Sequence, residues 1–250
     1  MSQLTRQADP YRFEVESEAA FPGSLVAATG LGPFLAWTKL TYLTVAPLFV
    51  TLASMPEPSL NVLAVVGSLH RDSVTRTVVH HVAQKLKAEG CSVDVLDFEK
   101  EPLALYNPDT AHDLPGYVEL QARVERADVI VLGTPDYHGG ISGTTKNFLD
   151  HFWREFAGKL FVTIVASHEK GLTVTDQLRT VARQCYAWTL PYGVSFAEDQ
   201  DVKNGKITSS ALKQRLEMLT RDARVYGQLL ARQRGEDLQG AEPGFMARHR

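Results

Sequence analysis

The chain has 250 residues, of which 44% are hydrophobic, 22% charged and 9% aromatic, a composition that excludes disorder, collagen-like repeats or coiled coil as its dominant character. A formal net charge of -3 and a pI near 6.2 leave no global attraction for nucleic acid. The two cysteines, Cys91 and Cys185, stand apart from each other and from any histidine at metal-ligand spacing, so they read as small buried apolar residues in a protein of the reducing cytoplasm.

Residues 1–58 differ from the rest. A polar stretch from Gln3 to Glu18 leads into an apolar run from Leu25 to Ala53 whose one charge is Lys39. Gly30, Gly32, Pro33 and Pro47 interrupt that run and Thr29, Thr38, Thr41 and Thr44 dilute it, so a membrane span is not favoured. Glu14, Glu16 and Glu18 precede it, which argues against a secretory signal. Two readings stay open: an arm that packs on a neighbouring subunit, and a start codon placed upstream of the true one at Met55.

From Leu60 onward, short β-branched apolar runs alternate with amphipathic helical stretches, the pattern of an α/β domain over residues 59–234. Strands are predicted at Leu60–Val66, Ser92–Leu96, Val129–Leu132, Leu160–Ala166 and Leu190–Phe196. Val74, Val78, Val79, Val82, Ala83 and Leu86 form one helical face, and Leu212, Leu216, Leu219, Ala223, Tyr226 and Leu230 mark a long final helix. Right-handed crossovers then give a three-layer, doubly wound, five-stranded parallel sheet of order 2-1-3-4-5, with its ligand at the carboxyl ends of the strands. Residues 235–250, polar with Gly and Pro, read as a loose tail. Phe152, Trp153, Phe156, Tyr186 and Trp188 read as packing residues.

Two loops carry chemistry. After the first strand, Gly67-Ser68-Leu69-His70-Arg71-Asp72-Ser73-Val74-Thr75-Arg76 runs into a helix, where free amides and the positive helix end can hold a phosphate. Ser68, Ser73 and Thr75 add hydroxyls, while Arg71 and Arg76 add charge. The plainer reading is that Ser73 caps the helix and the arginines are solvated. After the third strand, Thr134-Pro135-Asp136-Tyr137-His138-Gly139-Gly140 places two ring side chains between a proline and a glycine pair, which suits close approach of a flat heterocycle. The two loops should be neighbours, so one mononucleotide would span them.

These segments, Gly-Ser-x-x-Arg-x-Ser-x-Thr and Thr-Pro-Asp-Tyr-His-Gly-Gly-Ile-Ser-Gly-x-x-Lys-Asn, resemble the NADPH-dependent FMN reductase family, which includes quinone, azo-dye and chromate reductases. The resemblance covers about Leu60 to Arg232 and implies a flavodoxin-like fold with bound FMN. It implies that Ser68, His70, Arg71, Ser73, Val74 and Thr75 surround the FMN phosphate. Pro135, Asp136, Tyr137, His138, Gly139 and Gly140 would line the isoalloxazine, and Ser167, His168, Lys170 and Gly171 would close over its pyrimidine edge. The sequence departs from the family at His70 (usually Arg), Asp136 (Glu), His138 (Asn), Gly140 (Ser or Tyr) and Ser142 (Pro).

The activity implied is transfer of hydride from NADPH or NADH through FMN to a small acceptor such as a quinone, free flavin, azo compound or metal oxyanion, by a homodimer or homotetramer. The flavin carries the chemistry, so no side chain is assigned as an acid or base. The rival is a flavodoxin-like electron carrier fed by a protein, against which the missing Thr-x-Thr-Gly-x-Thr loop counts. The histidines lack metal-site spacing, and Gly140-Ile141-Ser142-Gly143 is not a nucleophile elbow.

Overall fold

A computed structural model of the chain describes residues 59–168 and 171–249. The readings of residues 1–58, including Met55, lie outside the described residues.

Period-2 alternation builds the sheet. In β1 (Asn61–Val66), Val62, Ala64 and Val66 enter one buried cluster while Leu63 and Val65 enter another on the opposite face. Parallel partners flank it: β2 (Ser92–Asp97) on one side and β3 (Val129–Tyr137) on the other. β5 (Leu160–Ala166), fully buried, pairs with β3 beyond a short β4 (Gly140–Ile141) that folds back antiparallel on the end of β3. The path runs β2-β1-β3-β5-β6, the doubly wound class expected.

Of the fifth predicted strand only β7 (Val194–Phe196) forms; a separate β6 (Trp188–Thr189) lies just before the predicted start, and both pair with β5. Pro191, between them, has no amide to donate to a ladder. The third strand is longer than predicted because the Gly133-Thr134-Pro135 run, which reads as a breaker, stays paired as far as Pro135 opposite Ala166.

Helices cover both faces. α1 (Val74–Ala88) and the 30-residue α6 (Ser210–Gln239) pack on one cluster, with α2 (Tyr117–Arg126), α3 (Gly143–His151) and α4 (Leu172–Gln184) on the other, and a single-turn α5 (Glu198–Asp201) follows β7. On α6 the predicted face needs one correction: Gly227, four residues past Ala223, points into the sheet and Tyr226 is exposed. The tail is also corrected. α6 continues to Gln239, and a 3₁₀ turn at Phe245–His249 buries Met246 and sets Phe245 against Trp188, with ring centroids 5.9 Å apart. Arg248 donates to the Tyr186 hydroxyl at 2.9 Å. Phe152 and Phe156 are core as expected, whereas Trp153 and Trp188 are exposed.

Both cysteines are buried free thiols, and burial pushes Cys185 up to about 11. Lys159, at the start of β5, is 1% exposed and donates to the carbonyls of Glu125 and Ala127 at the end of α2. Burial, with Arg234 adding to it, pulls its ammonium down to about 7. The folded protein therefore holds fewer protons than the unfolded chain from about pH 7 to 10. Stability should rise with pH across that window by up to ~1.4 kcal/mol per unit from this site. Lys159→Met is expected to flatten that difference in urea unfolding between pH 7 and 9.5; an unchanged slope would refute the assignment.

Candidate functional site

The carboxyl ends of β1, β3 and β5 open into one cleft. It is lined by Ser68, His70, Asp72, Ser73, Val74 and Thr75 from the first loop, by Pro135, Asp136 and Tyr137 from the third, and by Ala166, Ser167, His168 and Glu198 from the far side.

The first loop gathers hydrogen-bond donors on one wall of the cleft. Ser73 caps α1, its Oγ accepting the Arg76 amide at 3.2 Å while its carbonyl accepts from Thr77. The amides of Val74 and Thr75, at the first turn, have no intrahelical acceptor and lie on the cleft. Ser68, Ser73 and Thr75 bring hydroxyls to the same lining, each in a residue at least nine-tenths buried. This donor set fits a phosphate held by neutral dipoles.

Neither arginine of the loop supplies charge to the cleft. Arg71 is exposed and is not among the lining residues. Arg76 turns away: Nε donates to Asp97 Oδ2 at 2.6 Å and Nη2 to Oδ1 at 3.1 Å, while Nη1 holds the carbonyls of His70 and Arg71, each at 2.8 Å. Asp97, at the end of β2, is 3% exposed. Burial alone would raise its carboxyl, but the Arg76 hydrogen bond, the Glu99 amide and the Arg76 charge bring it below the ordinary carboxylate range. The clamp thus fixes the loop's path from behind.

A buried hydroxyl network joins the two loops. Ser142 caps α3 by accepting the Thr145 amide at 3.1 Å and donates its Oγ proton to Gly67 O at 2.6 Å, so Thr145 Oγ1, 2.9 Å away, is the donor to Ser142. The Ser142 amide donates to Thr134 Oγ1 at 3.1 Å, and Gly67 N–H to Gly133 O at 2.8 Å. Serine at the family's proline position is therefore structural. Asn147 of the Lys-Asn pair is structural too, accepting the Tyr106 amide at 2.7 Å and donating to Ala104 O at 2.9 Å.

The third loop is a tight hairpin. His138 (φ 58) and Gly139 (φ 76) occupy its two central left-handed positions between paired Tyr137 and Gly140. Histidine tolerates that conformation better than most residues, and Asn better still. His138, Gly139 and Gly140 lie in the hairpin directly beyond the cleft-lining Pro135, Asp136 and Tyr137. Asp136 joins this hairpin to the next loop, accepting the Gly139 amide at 2.8 Å and the Ser167 hydroxyl at 2.9 Å.

Gly171 is off the lining. It caps α4 at φ 59, and a Cβ there would meet Val165 Cγ1 at 2.9 Å. Lys170 lies outside the described residues. Asp72, Ala166 and Glu198 line the cleft without having been foreseen, and no motif marks them. Gln177 was missed as well: from α4 its Oε1 accepts the Ile141 amide at 3.1 Å and its Nε2 donates to Gly139 O at 3.0 Å. Gln177→Ala should speed hydrogen exchange at the Ile141 amide and cost about 1 kcal/mol of stability; unaltered exchange would show that the hairpin stands without this clamp.

Among the described residues no group of three or more His, Cys, Asp or Glu side chains could hold a metal, and no helix is long and apolar enough to cross a membrane.

A doubly wound parallel sheet with a donor-lined cleft at the carboxyl ends of β1, β3 and β5 defines a flavodoxin-like fold. Residues 60–201 match the NADPH-dependent FMN reductase family, more than half of the chain, and the protein belongs to that family. It is 23% identical over 150 residues to an FMN-dependent NADPH-azoreductase of Staphylococcus aureus, covering 57% of this chain and 79% of the relative. An NADH:FMN oxidoreductase structure superposes with a TM-score of 0.56 at 17% identity, over 67% of this chain and 90% of that one. FerB, an NAD(P)H:acceptor oxidoreductase of Paracoccus denitrificans, gives 0.53 at 22% identity, over 69% and 97%. The chain is an FMN-dependent NAD(P)H oxidoreductase acting on a small-molecule acceptor.

Proposed function

We propose that the cleft holds FMN with its phosphate on the Ser68–Thr75 loop and its ring against Pro135, Tyr137 and Ala166, and that electrons pass from NADPH or NADH to a planar acceptor such as a quinone or azo compound. The observation that carries this reading is the cradle: unpaired first-turn amides of α1 and three buried hydroxyls share one lining with the ends of β3 and β5. The bound flavin would supply hydride acceptance and electron donation.

The protein's part is to bind, orient and tune. Amides of Val74 and Thr75 with the hydroxyls of Ser68, Ser73 and Thr75 hold the phosphate without a paired cation. The Asp136 link to Gly139 and Ser167 keeps the two ring-bordering loops at one spacing. Tyr137, 54% exposed, offers a ring face at the mouth where a planar acceptor or nicotinamide stacks. Nicotinamide and acceptor use the same opening in turn, so the kinetics are ping-pong.

The assignment extends to a cytoplasmic homodimer or homotetramer, supported by two free buried thiols and by exposed Trp153, Trp188 and Leu172. The decisive measurement is the visible spectrum of FMN-supplemented protein before and after anaerobic NADPH. Bleaching of a bound band near roughly 450 nm is expected. A bound band that resists both NADPH and NADH would favour an electron carrier, and absence of FMN binding would refute the site.

A further inference from the structure

Beyond the family-matched residues 60–201, the chain adds one wall of a second groove, whose other wall is α1. β8 (Val202–Lys203) and β9 (Lys206–Ile207) form an antiparallel hairpin turning at Asn204 and Gly205. Ile207 packs into the core beside α1, and α6 starts just after it, capped by Ser209. Between this hairpin and α1 runs a groove whose lining includes Arg76, His80 and His81 on one wall and Gly205, Lys206 and Lys213 on the other.

No carboxylate lines it, although the chain has 29 acidic against 26 basic residues. Glu217, further along α6, is taken up by Lys85 at 3.7 Å. Arg76 is already matched by Asp97, so Lys206 and Lys213 are the groove's uncommitted charges, in no ion pair among the described residues. His80 and His81 add two imidazoles.

Arg76 links the groove to the loop behind the cleft. It lines the groove, while its guanidinium holds the carbonyls of His70 and Arg71 in the loop that borders the cleft. His80 is seven residues beyond Ser73, about 10 Å along α1 at 1.5 Å per residue. One extended dinucleotide therefore has an acid-free, cationic surface within reach of the flavin cleft. A phosphomonoester adds about two negative charges and three acceptor oxygens, the ligand that ammonium and imidazole donors suit.

We propose that this groove receives the phosphorylated adenosine end of the nicotinamide dinucleotide, through the phosphomonoester that NADPH carries and NADH lacks. The proposal rests on the cleft being the site of flavin reduction.

The test is steady-state turnover of FMN-loaded wild type and Lys206→Ala/Lys213→Ala with NADPH and with NADH. Both lysines are exposed, so folding and FMN absorbance serve as controls. The KM for NADPH is expected to rise roughly tenfold in the variant, with the KM for NADH changing less than about twofold. The NADPH KM of wild type should also climb more steeply with ionic strength than that for NADH. Adenosine 2′,5′-bisphosphate should compete with NADPH on wild type and lose that competition on the variant. Equal shifts for the two nucleotides, or none for either, would overturn the groove assignment alone; a wild-type flavin that neither nucleotide reduces would overturn the cleft reading and the groove with it.

Discussion

Arg76→Ala is expected to lower stability by about 3 kcal/mol and to weaken FMN binding at the same time, although Arg76 does not reach into the cleft. The substitution leaves Asp97, whose side chain is 5% exposed, as an uncompensated carboxylate, and frees the loop carbonyls of His70 and Arg71. The pH dependence identifies the cause. In wild type the folded carboxyl lies below its ordinary value, so it contributes stability above the unfolded carboxylate range, lost as pH falls through the folded value. Without Arg76, burial dominates and raises Asp97, so the gap between wild type and variant should narrow below about pH 4. Asp97→Ala added to Arg76→Ala should restore part of the stability but not the FMN affinity. Loss of FMN binding with stability intact would instead make Arg76 a direct phosphate ligand.

That clamp marks how far the sequence could be read. The strand cores, the α1 face and both cleft-bordering loops follow from period and motif, because Val62 to Val66 and Val78 to Leu86 record their burial in their own spacing. Arg76 looked like a phosphate cation because its partner, Asp97, ends a different strand; only the β2-β1-β3 order brings the two together. Glu198 and Asp72 reach the cleft in the same motif-free way. His138 carries a demand that its motif does not show: its backbone, at φ 58, needs a residue that tolerates a left-handed turn. Lys159 stood in an unremarkable Gly-Lys-Leu run, and its burial depends on where α2 ends. In the tail, Gly and Pro masked Phe245 and Met246, whose partners lie on the sheet edge and in α6.

Gly67→Ala should be strongly damaging, since among the described glycines an added Cβ meets its nearest neighbour most closely here. A Cβ at this position would sit 1.8 Å from Thr145 Oγ1 and 2.9 Å from Gly133 O. Neither neighbour can give way cheaply: Gly133 O accepts the Gly67 amide itself, and Thr145 Oγ1 donates to Ser142 Oγ, which in turn donates to Gly67 O. Forcing β1 and β3 apart would separate the two loops proposed to hold the FMN phosphate and its ring. A stability loss of roughly 3 kcal/mol is expected, with FMN binding lost along with it. Thr145→Ala removes the closest contact yet leaves Ser142 as the cap of α3, so Gly67→Ala/Thr145→Ala should be less destabilised than the two single changes added together. Recovery stays partial, since the approach to Gly133 O persists. Urea unfolding of the four proteins, each followed by an FMN titration, measures this directly. A Gly67→Ala protein within about 0.5 kcal/mol of wild type would mean that β1 and β3 can separate at their carboxyl ends without loosening the site.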